Sequence, residues 1–321
     1  MDFRRGDARV ALVEPDILPR DLDPITKLMQ SKRSPNTQRA YRADLRDFFG
    51  GQPPPRLVRR FLELPTPLIA ARLIEYKDEL KRRSLSEATI NRRLASIRAL
   101  LRMAYRLGLC ATTGQDLVDN ERSRSYRDTR GVGEDKLVEL VHSPPLSGVL
   151  ALRDRAILLL MAETALRRAE VCSLNLADYR PEQRQLLVLG KGRGTQKEPL
   201  SITAAVVEAI ERYLVVTGPK AASEPLFGSE HHGHRGQRLT GAGLYHIIQG
   251  RGAAVDVPEL TPHKIRHSAI TLALDATNGN VRDVQKFSRH ASPATVMIYD
   301  DNRQDRAGHV TEALSERLPR R

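Results

Sequence analysis

Between Ser34 and Gly108, apolar side chains recur with the period of an α-helix in three successive segments, and this pattern constrains the fold most. Each segment starts at residues suited to a helix N-terminus and ends at glycine or a basic run. The predicted helices run from Ser34–Pro35 to Gly50–Gly51, from Thr66–Pro67 to Lys81–Arg83, and from Ser86 to Gly108. We therefore predict a helical domain over residues 31–111.

The pattern changes after this domain. Residues 112–133 lose the periodicity and become polar, which predicts an interdomain linker. A second domain is expected over residues 134–321, in which strands join the helices. Its predicted elements are a buried helix over residues 153–163, two antiparallel strands over 185–189 and 198–202 about a glycine-rich turn, and further helices.

The predicted fold class is mainly α, with a small antiparallel β-sheet in the C-terminal domain. A helical domain thus precedes an α+β domain. Residues 1–30 mix prolines with alternating charges, which predicts a flexible N-terminal arm. The tail from Asp305 to Leu318 is predicted to be an amphipathic helix, because Val310, Leu314 and Leu318 recur every four residues.

Positive charge is concentrated in the first domain. The chain has 52 Lys and Arg against 39 Asp and Glu, and residues 31–130 hold +11 of the net +13. Such a field attracts a polyanion, and arginine forks onto phosphate oxygens, so we predict a nucleic-acid face; a solvated basic surface is the alternative. The candidate DNA-binding side chains are Arg39, Arg42, Arg92, Arg93, Arg98 and Arg193.

Several protein classes do not fit this sequence. The apolar stretches fall short of the roughly 20 residues of a membrane-spanning helix, and the N-terminus lacks a signal-peptide core, so we expect no membrane partner and a cytoplasmic location. Cys110 and Cys172 do not form a CxxC pair. The histidines of residues 231–234 lie in a polar loop without nearby carboxylate pairs, and we expect no metal site there.

Polar residues of the second domain follow an order that suggests chemistry. The set comprises Arg167 with Glu170 one turn later, Lys191 in a Gly-Lys-Gly-Arg-Gly turn, Thr-Pro-His-Lys-Ile-Arg-His at 261–267, Ser-Arg-His at 288–290, and Tyr299. In this order and spacing it resembles the tyrosine recombinase, or phage integrase, family, over residues 31–305. Each motif alone is a weak signal, whereas their joint occurrence is highly specific.

This resemblance implies a role for each part of the chain. Residues 31–111 look like the family's helical core-binding, SAM-like DNA-binding domain, and residues 134–321 look like its catalytic domain. The implied catalytic residues are Arg167, Lys191, His263, Arg266, His290 and the nucleophile Tyr299, with Glu170 and His267 in supporting positions. We expect His267 to pack or to hydrogen-bond the backbone.

These residue types suit phosphodiester cleavage by direct attack. Two guanidinium groups, those of Arg167 and Arg266, can stabilise charge on the non-bridging oxygens. A phenol with an ordinary pKa near 10 needs a base, for which His263 is the natural acceptor. Lys191 is the expected general acid, with Arg193 as its competitor, and His290 is expected to hydrogen-bond the phosphate. The resemblance implies a 3'-phosphotyrosyl intermediate and religation without metal, ATP or other cofactor.

The resemblance also implies partners. The chain is expected to be a site-specific DNA recombinase that clamps duplex DNA between its domains and acts in the nucleoid. We expect a homo-tetramer on DNA and a monomer or weak dimer in its absence, with the tail helix docking on a neighbouring protomer or packing at home. Two other functions stay open: a non-catalytic DNA-binding relative, and a DNA-relaxing enzyme of the type IB topoisomerase kind.

Two residues depart from the family pattern. Ala165 and Arg289 stand where the family usually has glycine. The first change adds only a methyl group. The second places a bulky cation directly before His290, where it can alter the rate or the DNA preference, or point outward.

Overall fold

The computed structural model describes residues 23–122, 131–190, 195–230 and 232–303, together with residues 311–312, 314–315 and 317–318 of the tail. The chain divides into two compact units between Ser125 and Tyr126. This division lies within the segment 112–133 that the sequence predicts as a linker. The two units are described in turn.

The first unit is helical. Its helices are α1 (Pro24–Gln30), α2 (Pro35–Phe49), α3 (Pro55–Leu62), α4 (Thr66–Arg82) and α5 (Glu87–Arg106). The three predicted helices are confirmed as α2, α4 and α5. Helix α2 begins after Ser34 and ends at Gly50, which adopts a left-handed conformation at φ 73°. Helix α3 was not predicted, because its eight residues span barely two turns of periodic pattern.

Helix α1 corrects the expectation that residues 1–30 form a flexible arm. The carboxylate of Asp23 caps this helix by accepting hydrogen bonds from the backbone N–H groups of Ile25 and Thr26 at 3.0 and 3.2 Å. Leu28 and Met29 are buried in the core of the unit, where α1 packs against α5. A seven-residue helix has too few turns to reveal its periodicity in sequence. Residues 1–22 lie outside the described part of the chain.

Aromatic rings occupy the centre of the first unit. The ring of Phe48 makes edge-to-face contacts with Phe49, Phe61 and Tyr76, with centroids 5.0, 5.1 and 5.0 Å apart. Such contacts add about 1 kcal/mol each beyond the area that the rings bury. They join α2, α3 and α4 and hold α2 in a fixed orientation.

The second unit combines helices with one sheet. Its elements are α6 (Glu134–His142), α7 (Val149–Thr164), α8 (Arg168–Ser173), β1 (Tyr179–Arg180), β2 (Gln185–Val188), β3 (Glu198–Ser201), α9 (Ala204–Thr217), α10 (Gly241–Ala253), α11 (Pro262–Ala276), α12 (Val281–Ser288) and α13 (Pro293–Arg303). The sheet has the order β1-β2-β3 with antiparallel neighbours, and Val188 pairs with Glu198. The predicted strands and the mainly α fold with a small sheet are therefore confirmed, while the two-residue β1 was too short to predict.

Helix α7 forms the centre of this unit. It is apolar on most sides, and ten of its 16 residues are buried, as expected for a helix enclosed by other elements. It packs against α9 and α11, and its C-terminus leads directly to Arg167. The predicted buried helix over residues 153–163 is thus confirmed, with ends a few residues further out.

The start of the second unit is fastened to α11. The hydroxyl of Ser268 accepts a hydrogen bond from the backbone N–H of Val132 at 2.8 Å. A Cβ atom on Gly131 would lie only 2.4 Å from the backbone nitrogen of Ser268, so this close approach requires glycine. The contact fixes α11, the helix that carries His263 and Arg266.

Two further observations concern membrane-spanning helices and the C-terminal tail. None of the helices in the described residues is long and apolar enough to cross a membrane. Much of the predicted tail helix, including Val310, lies outside the described residues. Leu314 and Leu318 are described and are exposed.

Candidate active site

Three parts of the second unit converge on one cavity of about 460 Å³. Arg167 lies at the turn between α7 and α8, His263 and Arg266 lie on α11, and His290 follows α12; all four line the cavity. These side chains come from positions more than 120 residues apart. The sequence grouped these residues only by motif. In the structure, the packing of α7 against α11 brings them together.

Arg266 is the buried centre of the cluster, with 2% of its surface exposed. Its guanidinium donates to the backbone carbonyls of Ala165 and of Ser288, the latter at 2.6 Å, and its Nη2 lies 3.1 Å from Nε2 of His290. Burial lowers its pKa to about 10, with the charges of Arg167 and Arg289 acting in the same direction. The group therefore stays protonated near neutral pH and is oriented by fixed carbonyls.

The contacts of His290 define its tautomer. A guanidinium can only donate, so Nε2 of His290 accepts from Arg266 and its proton sits on Nδ1, 2.9 Å from the hydroxyl of Ser288. Burial lowers the pKa of His290 to about 4, and the charges of Arg266, Arg167 and Arg289 add to the effect. The imidazole is therefore neutral near neutral pH.

Arg167 and Glu170 form a tight pair. The backbone N–H of Arg167 donates to Oε2 of Glu170 and its Nη1 donates to Oε1, both at 2.8 Å. Burial alone would raise the pKa of Glu170, but the backbone hydrogen bond and the charges of Arg289 and Arg167 outweigh it, so the pKa is lowered. The Arg167 side chain is 27% exposed, which leaves part of its guanidinium open to a ligand. The structure thus brings Glu170 and Arg167 together as a hydrogen-bonded ion pair, and the supporting role of Glu170 stays a prediction.

Tyr299 lies beside this cluster in the same unit. It is 5% exposed, on α13, and its ring centroid is 5.9 Å from that of His290 and 5.2 Å from that of His267. His267 in turn makes an edge-to-face contact with His263, at 4.0 Å between centroids. His267 therefore packs, as expected, but it does so between the expected base and the expected nucleophile, which the sequence did not reveal.

Lys191 and Arg193 lie outside the described residues. The strands before and after them, β2 and β3, are described and are antiparallel. The role of Lys191 as general acid stays a prediction.

The two departures from the family pattern share a backbone feature. Ala165 and Arg289 both adopt the left-handed region, with φ of 50° and 55°. Glycine reaches this region without the steric cost that a Cβ atom brings, which accounts for the usual glycine at both positions. The side chain of Arg289 points inward, because its Nη1 bonds the Thr164 carbonyl at 3.3 Å and its Nη2 bonds Glu170 at 3.2 Å.

The candidate DNA-binding arginines of the first unit fall into two groups. Arg39 and Arg42 are exposed on α2, where Arg39 also contacts Asn36. The three on α5 have partners within the unit: Arg92 bonds Asp44 at 2.5 and 2.7 Å, Arg93 bonds Asp47, and Arg98 bonds the Val118 carbonyl and Asn120. Their local partners were not foreseen, because these pairs join residues 20 to 48 positions apart.

Asp47 accepts hydrogen bonds from three side chains, among them Arg93 of α5. Burial alone would raise its pKa, but hydrogen bonds from Arg83, Tyr76 and Arg93 together lower it to about 2. Burial and the bond to Asp47 raise the pKa of the Tyr76 phenol. The network therefore fastens α2 to α4 and α5 around one charged carboxylate.

Some site residues were not singled out from the sequence. Tyr245 and Arg168 line the cavity, and Ser288 orients His290. Ser288 stands within the Ser-Arg-His motif, which was a usable signal, whereas Tyr245 on α10 reaches the cavity only through tertiary packing. Among the described residues, no group of three His, Cys, Asp or Glu side chains is arranged to hold a metal ion.

Comparison with known proteins gives the class. The profile of the phage integrase family matches residues 132–306, and that of the phage integrase N-terminal SAM-like domain matches residues 25–108. A tyrosine recombinase of Synechocystis is 40% identical over 299 residues, covering 92% of this chain and 95% of that protein. One of Synechococcus elongatus is 41% identical over 304 residues, covering 93% and 94%.

A solved structure shares the fold. XerH site-specific recombinase bound to palindromic difH substrate superposes with a TM-score of 0.62 at 20% identity, covering 87% of this chain and 78% of that one. The chain therefore belongs to the phage integrase family. Within that class it is a tyrosine-type recombinase, an enzyme of site-specific DNA recombination, and the resemblance read from the sequence is confirmed.

Proposed function

We propose that this recombinase cuts and rejoins DNA through a covalent link between Tyr299 and a 3'-phosphate. The carrying observation is that the Tyr299 ring lies 5.9 Å from that of His290, which is bonded to the buried Arg266, all within one unit. A nucleophile, a hydrogen-bonding imidazole and a fixed cation are thus neighbours without any contribution from a second chain.

Each residue has a role in this reaction. The phenolic oxygen of Tyr299 attacks the phosphorus, and the P–O bond to the 5'-oxygen breaks. The phenolic proton passes to His263, directly or through His267, whose ring contacts both residues. The guanidinium groups of Arg167 and Arg266 stabilise the added charge on the non-bridging oxygens. Lys191 gives a proton to the leaving 5'-oxygen. Religation reverses these steps, so the phosphodiester energy is kept and no ATP is required.

His290 changes partner in this proposal. In the structure its Nε2 accepts from Arg266. An incoming phosphate oxygen competes for that guanidinium and places a negative charge beside the ring, which raises the pKa of His290 from its lowered value. Nε2 is then free to take up a proton and donate to the phosphate. The guanidinium groups of Arg167 and Arg266 and the protonated imidazole of His290 supply the positive charge that a metal ion supplies in metal-dependent nucleases. We therefore propose metal independence.

The proposal extends to partners. Duplex DNA is the substrate, held by both units, with Arg39 and Arg42 as candidate phosphate contacts on α2. Four copies assemble on two DNA sites for strand exchange, and the exposed Leu314 and Leu318 are candidates for contacts between copies. A cytoplasmic location with the nucleoid follows from this substrate. Cross-linking on DNA followed by mass measurement tests the assembly, and a purely monomeric complex would contradict it.

Covalent trapping tests the chemistry. Purified protein is incubated with a target duplex carrying a nick beside the cleavage position. The short fragment released by cleavage then diffuses away, religation is prevented and the adduct accumulates. We expect a protein–DNA adduct with the wild type and none with Tyr299→Phe, since only the hydroxyl is removed.

Tyr245→Phe is the matched control, because Tyr245 also lines the cavity. An adduct that persists in Tyr299→Phe would overturn the assignment, and its loss in Tyr245→Phe would point to Tyr245 as the attached residue. Peptide mapping of the wild-type adduct gives the attached residue directly.

A further inference from the structure

The guanidinium of Arg289 is largely buried beside Glu170. Its side chain is 12% exposed, and it donates to the carbonyls of Phe287 at 3.0 Å, Thr164 at 3.3 Å and Ala165 at 3.4 Å. It does so from a left-handed backbone that a non-glycine residue adopts only at a steric cost. Both terminal nitrogens of this guanidinium are bonded, whereas its buried Nε has no hydrogen-bond partner. A strained backbone at a residue held in this way suggests a specific role for Arg289.

Arg289 and Arg167 share one carboxylate. Oε1 of Glu170 accepts from the Arg167 side chain, and Oε2 accepts from the Arg167 backbone and from Nη2 of Arg289 at 3.2 Å. Glu170 is 3% exposed, so water screens its charge little. Without Arg289, the Glu170 carboxylate would cancel most of the charge that Arg167 offers to an anion.

Backbone carbonyls connect Arg289 to both Arg167 and Arg266. Its own carbonyl accepts from Nη2 of Arg167 at 3.2 Å. The Ala165 carbonyl that it contacts accepts as well from Arg266. One residue therefore links the α7–α8 turn to the corner after α12, where His290 lies.

We propose that Arg289 is a positioning residue that offsets the charge of Glu170, so that the Arg167 guanidinium keeps its full attraction for the substrate phosphate. This inference rests on the proposed phosphotyrosyl reaction. Arg167, Arg266 and Arg289 against Glu170 leave the cluster with two positive charges, and removal of Arg289 leaves one. Glu198 at the start of β3 is a further acid that acts on Arg289, more weakly than Glu170 does.

A charge-offsetting role and a packing role for Arg289 predict different effects when residues 289 and 170 are substituted together. If Arg289 offsets Glu170, then removing both charges returns the cluster to two positive charges, and Glu170→Gln rescues Arg289→Met. If Arg289 only fills space and satisfies carbonyls, its loss costs the same whether residue 170 is glutamate or glutamine. Methionine suits the test, because it is similarly long and carries the same left-handed strain as arginine.

The experiment is a double-mutant cycle on the full chain. Wild type, Arg289→Met, Glu170→Gln and the double variant are compared in the single-turnover rate of covalent adduct formation at saturating nicked DNA. We expect Arg289→Met to slow the reaction roughly 10- to 100-fold with Glu170 present, by analogy with the loss of a partner that orients a metal ligand. In the Glu170→Gln background the same change should slow the reaction less than about threefold.

The exposed pair Arg212–Glu208 on α9 provides the matched control, because it offers the same charges on the surface. Arg212→Met and the double variant Arg212→Met with Glu208→Gln should both react at the wild-type rate. Arg289→Lys, which keeps the charge and loses the fork, should retain most of the rate. If Arg289→Met does not fold, Arg289→Gln takes its place in the cycle, since its amide still donates to a carbonyl.

The outcomes separate this inference from the proposed function. An equal effect of Arg289→Met in both backgrounds, or no effect in either, overturns the offsetting role while a Tyr299-dependent adduct upholds the reaction. An adduct that forms in Tyr299→Phe overturns the reaction itself, and the offsetting role with it.

Discussion

The imidazole of His290 illustrates how one residue's state follows from its neighbours. Arg266 fixes which ring nitrogen carries the proton. Burial, together with the charges of three guanidinium groups, lowers the pKa of the ring and keeps it neutral. The sequence places a histidine here but cannot show this state, because Arg167, Arg266 and Arg289 approach only in the folded chain. A neutral imidazole can gain a proton when an anion binds, which a permanently charged one cannot.

The lowered pKa of His290 predicts a pH dependence of stability. Below pH 6.5 the unfolded chain binds a proton at this histidine, whereas the folded chain does not until about pH 4. The free energy of unfolding should therefore fall as pH drops from 6.5 toward 4, and less steeply in His290→Gln. Urea denaturation across this range measures it.

His246→Gln is the control, as His246 is an exposed histidine on α10. It should keep the wild-type pH dependence. Equal slopes for wild type and His290→Gln would contradict a neutral, buried His290.

At the scale of elements, α11 organises the site. His263 and His267 lie one turn apart on this helix and their rings meet, and Arg266 projects from the intervening position into the cluster. Thr261 caps the helix, with its hydroxyl oxygen accepting from the Lys264 backbone N–H at 3.2 Å. The first turn of α11 is therefore both a helix end and part of the cavity wall.

The cap of α11 gives a stability prediction. Thr261→Ala removes the side-chain acceptor and should lower the free energy of unfolding by about 1 kcal/mol. Thr261→Ser keeps the hydroxyl and should stay close to wild type. Chemical denaturation of the three proteins measures the difference, and equal losses in both variants would show that the methyl group, not the cap, is responsible.

For the whole molecule, the net charge of a segment does not show which of its cations join helices and which face solvent. Residues 31–130 carry a net +11, yet Arg92 and Arg93 on α5 are held by Asp44 and Asp47 on α2. Part of the basic charge in the first unit therefore serves to join its helices. Arg39, Arg42 and Arg92 are all exposed, but the guanidinium of Arg92 is held by Asp44. Arg39 and Arg42 are therefore better placed to meet phosphates.

This division predicts two kinds of variant. Arg39→Gln with Arg42→Gln should weaken DNA binding and reduce the slope of log affinity against log salt by about two, roughly one for each phosphate that is no longer neutralised. Arg92→Gln should leave that slope unchanged and lower the free energy of unfolding by about 1 kcal/mol, because Asp44 is buried. Salt titrations of binding and denaturation curves measure both, and a lower slope for Arg92→Gln would reverse the assignment.

Local signals in the sequence determined much of this protein. Helices α2, α4, α5 and α7 and the pair β2–β3 follow from periodicity, caps and a glycine turn, which act between near neighbours. The motif order also indicated the family, because residues such as His263, Arg266 and Tyr299 stand in the order and spacing of the family's motifs.

Tertiary structure alone decided the rest. It turned Arg289 inward onto Glu170, set His267 between His263 and Tyr299, and paired α5 arginines with α2 acids. It also packed α1 against α5, a helix whose seven residues are too few to show a helical periodicity in the sequence. Each of these outcomes depends on contacts between residues that are distant in sequence. The free energy of such contacts depends on packing and burial, and packing and burial are set only when the chain has folded.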